Sequence, residues 1–282
     1  MRSSQDALAA LRGWSLTRDD SGISRVYRDR AGTIYHSVTS ILSATQDNSG
    51  LEQWAARLDR TYGPGAASQD RRVAAQRGTQ THNAAEYLLK TANKLARNAA
   101  NRRNSYRLGQ DGLYRVPSSM YQWALAKANM NSHQVSWSAF GYSRSLTGWL
   151  LEHVTQCFAC EFSVYHPAGF AGTSDGLISV AGTTLERYGG DPALAGAPFI
   201  ADWKTSAKRK TAAGLENYRL QAGAYSLGLE HLTGIKPAGA FIVLARRVGP
   251  PDVLLLGPTD LALAEDGYLR RVEQFYAALQ AA

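Results

Sequence analysis

Residues 199–208, FIADWKTSAK, decide how the second half of the chain is read. Phe199, Ile200, Ala201 and Trp203 form an apolar run of strand length, and Asp202 and Lys204 interrupt it. Strand side chains alternate faces, so Asp202 and Lys204 share one face with Ile200. Phe199, Ala201 and Trp203 point the other way, into packing. An acid and a base on a core strand need a reason, because burying an unpaired charge is costly. A structural ion pair is one such reason. The preceding apolar stretch, FAGTSDGLISV, supplies another, since it carries Asp175 just before a glycine. If the two strands are neighbours, Asp175 and Asp202 converge, and adjacent carboxylates repel unless a cation lies between them. Oxygen ligands without thiolate select Mg2+ or Mn2+. Lys204 beside such an ion is placed to hold and activate a water for phosphodiester hydrolysis.

Working outward, EFSVYH, FAGTSDGLISV and PFIADWKTS are three strands in succession. A helix over about 212–232 follows, then strands in AGAFIVLAR and DVLLLG. The last helix begins near Asp260 and buries a stripe of Leu261, Ala264, Tyr268, Val272, Phe275 and Leu279. Upstream, SRVYRD and TIYH predict a strand pair around RAGT, and SVTSILSA a capped helix. LEQWAARLDR predicts a helix that TYGPG ends. The Ala-rich stretch 66–105 predicts one long helix or two consecutive ones. MYQWALAKANM and LTGWLLEHVTQCF predict further helices, and the polar stretch 129–145 a loop. The expected fold is α/β: a central mixed sheet flanked by helices, with a helical N-terminal region. We expect one domain, mainly helical over 1–158 and carrying the catalytic core over 159–282.

The bulk properties agree with an ordinary globular protein: 282 residues, 44% of them hydrophobic. The N-terminus lacks a secretory signal and the apolar runs are short, which predicts a soluble cytoplasmic protein with no membrane partner. The formal net charge is +8, and 24 of the 31 basic residues are Arg. The planar guanidinium fork suits phosphate, so the excess fits a polyanionic partner, with solubility charge as the plain alternative. Cys157 and Cys160 are spaced C-x-x-C, but a four-thiolate zinc or iron–sulfur site needs two more cysteines. They read as buried, reduced thiols, with a redox pair as the alternative.

GTSDGL followed by IADWKTS resembles the PD-(D/E)XK nuclease superfamily, with Asp175, Asp202 and Lys204 as the motif. Three flanking stretches resemble its RecB-like exonuclease branch. RGTQTHNAAEYLL is similar to that branch's helical Gly-x-x-x-His motif, and YRLQAGAYSLGL to its Gln-x-x-x-Tyr helix. YHSVTSIL resembles an N-terminal segment of phage and mitochondrial genome-maintenance exonucleases, where Pro usually stands at the position of His36. The resemblance spans about Tyr35 to Arg246. It implies a restriction-endonuclease-like fold and a Mg2+- or Mn2+-dependent DNA exonuclease, acting on single strands or free ends in DNA processing or repair. It also implies that His82, Asp175, Asp202 and the carbonyl of Trp203 hold the metal, and that Glu161 holds a second one. Lys204 would position the attacking water, with Gln221 and Tyr225 steadying Lys204 or a phosphate. Relatives with an iron–sulfur cluster use four cysteines, so none is expected here. Asp175 and Asp202 are 27 residues apart, wider than in many relatives, and the insert 181–198 must loop out. A non-catalytic DNA-binding protein on the same fold and a structure-specific endonuclease are the rival readings.

Further candidates lie outside the motifs. Glu86, one helical turn beyond His82, is placed to orient it. KLARNAANRRNSYR carries Arg97, Arg102, Arg103 and Arg107 as a face for a phosphate backbone, with Tyr106 to stack on a base. Lys208, Arg209 and Lys210 follow the motif strand directly. Tyr218 lies three residues before Gln221 on the same helical face, where it too would meet nucleic acid.

Overall fold

The computed structural model describes residues 8–13, 16–22, 24–130 and 135–281. The chain opens with a short helix α1 (Ala9–Gly13) and three short strands, β1 (Thr17–Asp19), β2 (Val26–Arg28) and β3 (Ile34–Ser37). Ser37 then caps helix α2 (Val38–Thr45), its hydroxyl accepting from the Ser40 N–H at 3.0 Å. Helix α3 (Ser49–Tyr62) ends at Gly63, whose φ of +98° suits glycine. Helix α4 (Ala66–Arg103) is continuous, so the 66–105 stretch is one helix and not two. It stops where Asn104 takes a left-handed φ of 48°.

A two-stranded hairpin, β4 (Arg107–Leu108) and β5 (Tyr114–Arg115), leads to α5 (Ser118–Asn129) and α6 (Trp137–His153). Here the observed elements depart from expectation. Of the expected loop at 129–145, residues 131–134 lie outside the described residues, and Trp137–Ser145 is helical. Ala139, Tyr142, Leu146, Trp149 and Leu150 form the buried stripe that holds it there. The helix expected to continue through Phe158 stops at His153. Strand β6 (Val154–His166) starts at the next residue, with β-branched Val154 and Thr155.

Strand β7 (Phe170–Val180) follows. The insert at 181–198 does not simply loop out. It folds into α7 (Gly182–Arg187) and a 3-10 turn (Pro192–Leu194), with Leu185 buried in the core. Strand β8 (Phe199–Thr205), helix α8 (Ala212–Thr233), strands β9 (Ala240–Ala245) and β10 (Asp252–Leu256), and helix α9 (Pro258–Ala281) complete the chain. Leu279, placed on the buried stripe of the last helix by its spacing, is 50% exposed, because the final turn of α9 runs past the core.

Eight strands among the described residues form one mixed sheet. β3 runs parallel to β7, and β8 runs parallel to β9; the other pairs are antiparallel. Long β7 pairs with β6, and also with β3 near its start and β8 near its end. Helices cover both faces. Phe199, Ala201 and Trp203 pack with α4, α5 and α6, whereas Ile200 packs with α2, α8 and α9, as strand alternation requires. A division at residue 158 would cut β6 in two. The N-terminal region also contributes β1–β3 to the sheet and α4–α6 to its core, so the two parts share one core. No described helix is long and apolar enough to cross a membrane.

Candidate metal centre

Three neighbouring strands bring the acids together. Cys160 pairs with Gly176 and Phe162 with Ser174, so Glu161 faces Asp175 across β6 and β7. Gly176 pairs with Ala201, and one residue further in the same register Asp202 stands beside Asp175. Helix α4 delivers His82 to this row, its Nδ1 lying 3.1 Å from Asp175 Oδ1. Donor atoms of His82, Glu161 and Asp175 all lie within 4.8 Å of one another. Glu161 therefore stands in one group with His82 and Asp175. It also holds a left-handed φ of 50°, a conformation that costs a non-glycine residue about 1–2 kcal/mol.

Asp202, next along the row, lines the same cavity as these three. Asp202 is buried, and its Oδ2 lies 2.5 Å from Lys204 Nζ in a close ion pair. The Trp203 N–H is donated to Asp175 Oδ2 at 2.6 Å, and the strand pairs with Val243 of β9 at this residue. The indole is buried on the opposite face, against Trp149.

Helix α8 supplies the wall beside Lys204. The Gln221 amide donates to Tyr225 Oη at 2.6 Å. Gly172 is required there, because a Cβ would lie 2.8 Å from the Tyr225 ring. The Lys204 ammonium sits 5.3 Å from the centre of the Tyr218 ring, a cation–π contact. Tyr218 thus meets the lysine of the site.

The charges respond to this crowding. Burial and the facing Asp175 carboxylate push Glu161 up to about 7. Burial, opposed by Lys204, leaves Asp202 raised to about 6. Burial also disfavours ionisation of Asp175, but His82 and Lys204 outweigh it and hold its pKa below the usual range. Burial alone would lower His82 and Lys204, yet the neighbouring carboxylates raise both. Four titratable side chains from α4, β6, β7 and β8 thus share one cavity with Lys204. Oxygen and imidazole donors of this kind fit a hard divalent cation.

The cavity over the centre encloses about 230 Å³. Arg18 and Arg25, which the sequence reading passed over, line its rim together with Ser37 and Thr39. Both arginines pair with Asp20, at 2.7 and 2.6 Å. Their only sequence signal is a basic strand pair just before YHSVTSIL.

The remaining candidates separate. Glu86 does not orient His82; it pairs with Lys90 on α4. Arg97, Arg102, Arg103 and Arg107 do not share one helical face, because α4 ends at Arg103 and Arg107 belongs to β4. Arg102 and Arg103 lie in the last turn of α4, where cations complement the helix dipole. Lys208, Arg209 and Lys210 are exposed in the loop after β8, with Arg209 Nε 3.7 Å from Asp252 Oδ1. Cys157 is buried and Cys160 half-buried on β6; contact with Cys157 and burial raise the Cys160 thiol. No protein-family model and no curated protein sequence matches the chain.

Proposed function

We propose that the chain is a divalent-cation-dependent deoxyribonuclease of the PD-(D/E)XK type, an exonuclease acting on single strands or free ends. The observation that carries this reading is the meeting of His82, Glu161, Asp175, Asp202 and Lys204 at one small cavity, contributed by four separate elements. The net charge of +8 and the arginines at the rim favour a phosphate-bearing substrate.

His82, Glu161 and Asp175 would hold Mg2+ or Mn2+, with Asp202 adjacent. The bound cation supplies Lewis acidity toward the phosphodiester. Lys204 keeps its proton, since its carboxylate neighbours raise its pKa. It therefore donates hydrogen bonds to an attacking water and to the phosphate oxygens where negative charge develops. The Tyr218 ring limits where the ammonium sits. Gln221 and Tyr225 hold one another and close the wall beside it. Arg18 and Arg25 offer phosphate contacts at the entrance.

End-labelled single- and double-stranded oligonucleotides, linear and circular, incubated with Mg2+ or Mn2+ provide the test. Linear DNA is expected to shorten from an end, circular DNA to persist, and Asp175→Asn to abolish turnover. Absence of hydrolysis by the wild type under every condition would overturn the proposal.

A further inference from the structure

A second concavity adjoins the metal centre and leads away from it. Its near part, of about 670 Å³, is bordered by Glu161 of the centre and by Lys90, Lys94 and Arg97 of α4. Its far part, of about 370 Å³, shares Leu8, Asn93, Arg97 and Phe158 with the near part and is closed by Tyr106 and Tyr114. Arg97 lies fifteen residues beyond His82 on the one helix α4, about 22 Å along it at 1.5 Å per residue. A cationic groove therefore runs from the centre to an aromatic chamber.

The chamber has the chemistry of a nucleobase site. Tyr106 and Tyr114 meet edge to face, with ring centres 6.2 Å apart. Tyr114 is 46% exposed, so part of its surface is open to a ligand. The Tyr106 hydroxyl is buried and lies against the Arg97 guanidinium, so ring and cation sit side by side in the chamber. Asn93 uses its side-chain oxygen to accept from Tyr121 Oη, and Gln156 uses its own to accept from the Val116 N–H. Their amide NH2 groups remain as donors for base-edge acceptors. Lys94 and Arg97, exposed on the groove wall, make no ion pair among the described residues. Stacking rings, amide donors and a cationic approach together are how single-stranded nucleic acid is held.

We propose that this chamber is a nucleobase subsite for the strand that is cut at the metal centre, which it reaches through the groove along α4. The inference rests on the nuclease reading and adds a remote anchor to it. A span of about 22 Å corresponds to roughly six stacked nucleotides at 3.4 Å each, and to fewer when the strand is extended. The anchor would favour substrates longer than that span.

The test is fluorescence anisotropy of the full chain in EDTA, with single-stranded oligonucleotides carrying one abasic site at successive positions from each end. Wild-type affinity is expected to drop about five- to 150-fold at one position several nucleotides from an end, which corresponds to about 1–3 kcal/mol for a lost stack. In Tyr114→Ala and Tyr106→Leu that positional dependence is expected to vanish, while Tyr106→Phe keeps it. Equal affinity at every abasic position, with digestion in Mg2+ intact, would overturn the subsite and leave the nuclease reading standing. If the wild type neither binds nor digests any oligonucleotide, both fall together.

Discussion

Replacing Glu161 by Gln removes one charge from the crowded row and leaves its shape. In the wild type, burial and Asp175 hold the Glu161 carboxyl at about 7, against 4.5 for a free glutamate. Because the folded-state value is raised, the folded protein binds this proton more tightly than the unfolded chain. The resulting stabilisation is complete below about pH 4.5 and is lost as the pH rises through 7. Each unit of pKa difference corresponds to about 1.4 kcal/mol, and partial solvent exposure of the carboxylate reduces the whole effect to roughly 1–2 kcal/mol. For a chain of 282 residues that is a shift of about 2–3 °C in Tm. Thermal melts in EDTA at pH 5 and pH 8 measure it. Glu161→Gln is expected to lie close to the wild type at pH 5 and to melt about 2–3 °C higher at pH 8. Asp202 and His82, both raised, lose stability in the same direction, and Asp175, lowered, opposes them. The wild-type minus variant difference therefore reports Glu161 together with its Coulomb coupling to Asp175 and His82. Added Mn2+ is expected to raise the wild-type Tm at pH 8 and to raise that of the variant less, because a ligand that binds only the folded state stabilises it. A variant that melts at or below the wild type at pH 8 would refute the electrostatic account.

Lys204→Met leaves Asp202 buried beside an apolar chain, and chemical denaturation is expected to show a loss of about 3–5 kcal/mol. The same variant is expected to lose at least about 100-fold in kcat, the scale of removing one donor to developing charge. Gly172→Ala drives a Cβ to 2.8 Å from the Tyr225 ring and 3.1 Å from Val38, so a stability loss of about 1–3 kcal/mol and weaker nuclease activity are expected. Gly223→Ala is expected to cost more than Gly172→Ala in the same denaturation assay. Its Cβ would meet backbone atoms of Ala264 and Glu265 at 2.5–2.7 Å, and backbone where α8 crosses α9 has less room to yield than a ring.

What the sequence determined by itself is local. The period-two run at 199–204 assigned Phe199, Ala201 and Trp203 to one face and Ile200 and Asp202 to the other, because backbone geometry alone dictates that alternation. The single turn between Gln221 and Tyr225 was legible for the same reason, since a helix places residues four apart on one side. Where polarity masked periodicity, the reading failed. WSAFGYSRS carries Ser, Gly and Arg between Ala139 and Tyr142 and the later core residues, so its helical stripe was hidden. The fold of the insert at 181–198 depends on burying Leu185 against distant residues, which its own Gly- and Pro-rich composition does not announce.

Only the tertiary structure decided which chemistry-bearing residues meet. Strand register set Glu161 opposite Asp175, and the parallel pairing of β3 with β7 carried Arg18 and Arg25 to the rim of the cavity. It also brought Tyr218 to Lys204. These partnerships join segments far apart in the chain, or depend on which of several charged neighbours lies nearest in space. They follow from how whole faces pack, and a local pattern of residue types carries no record of that.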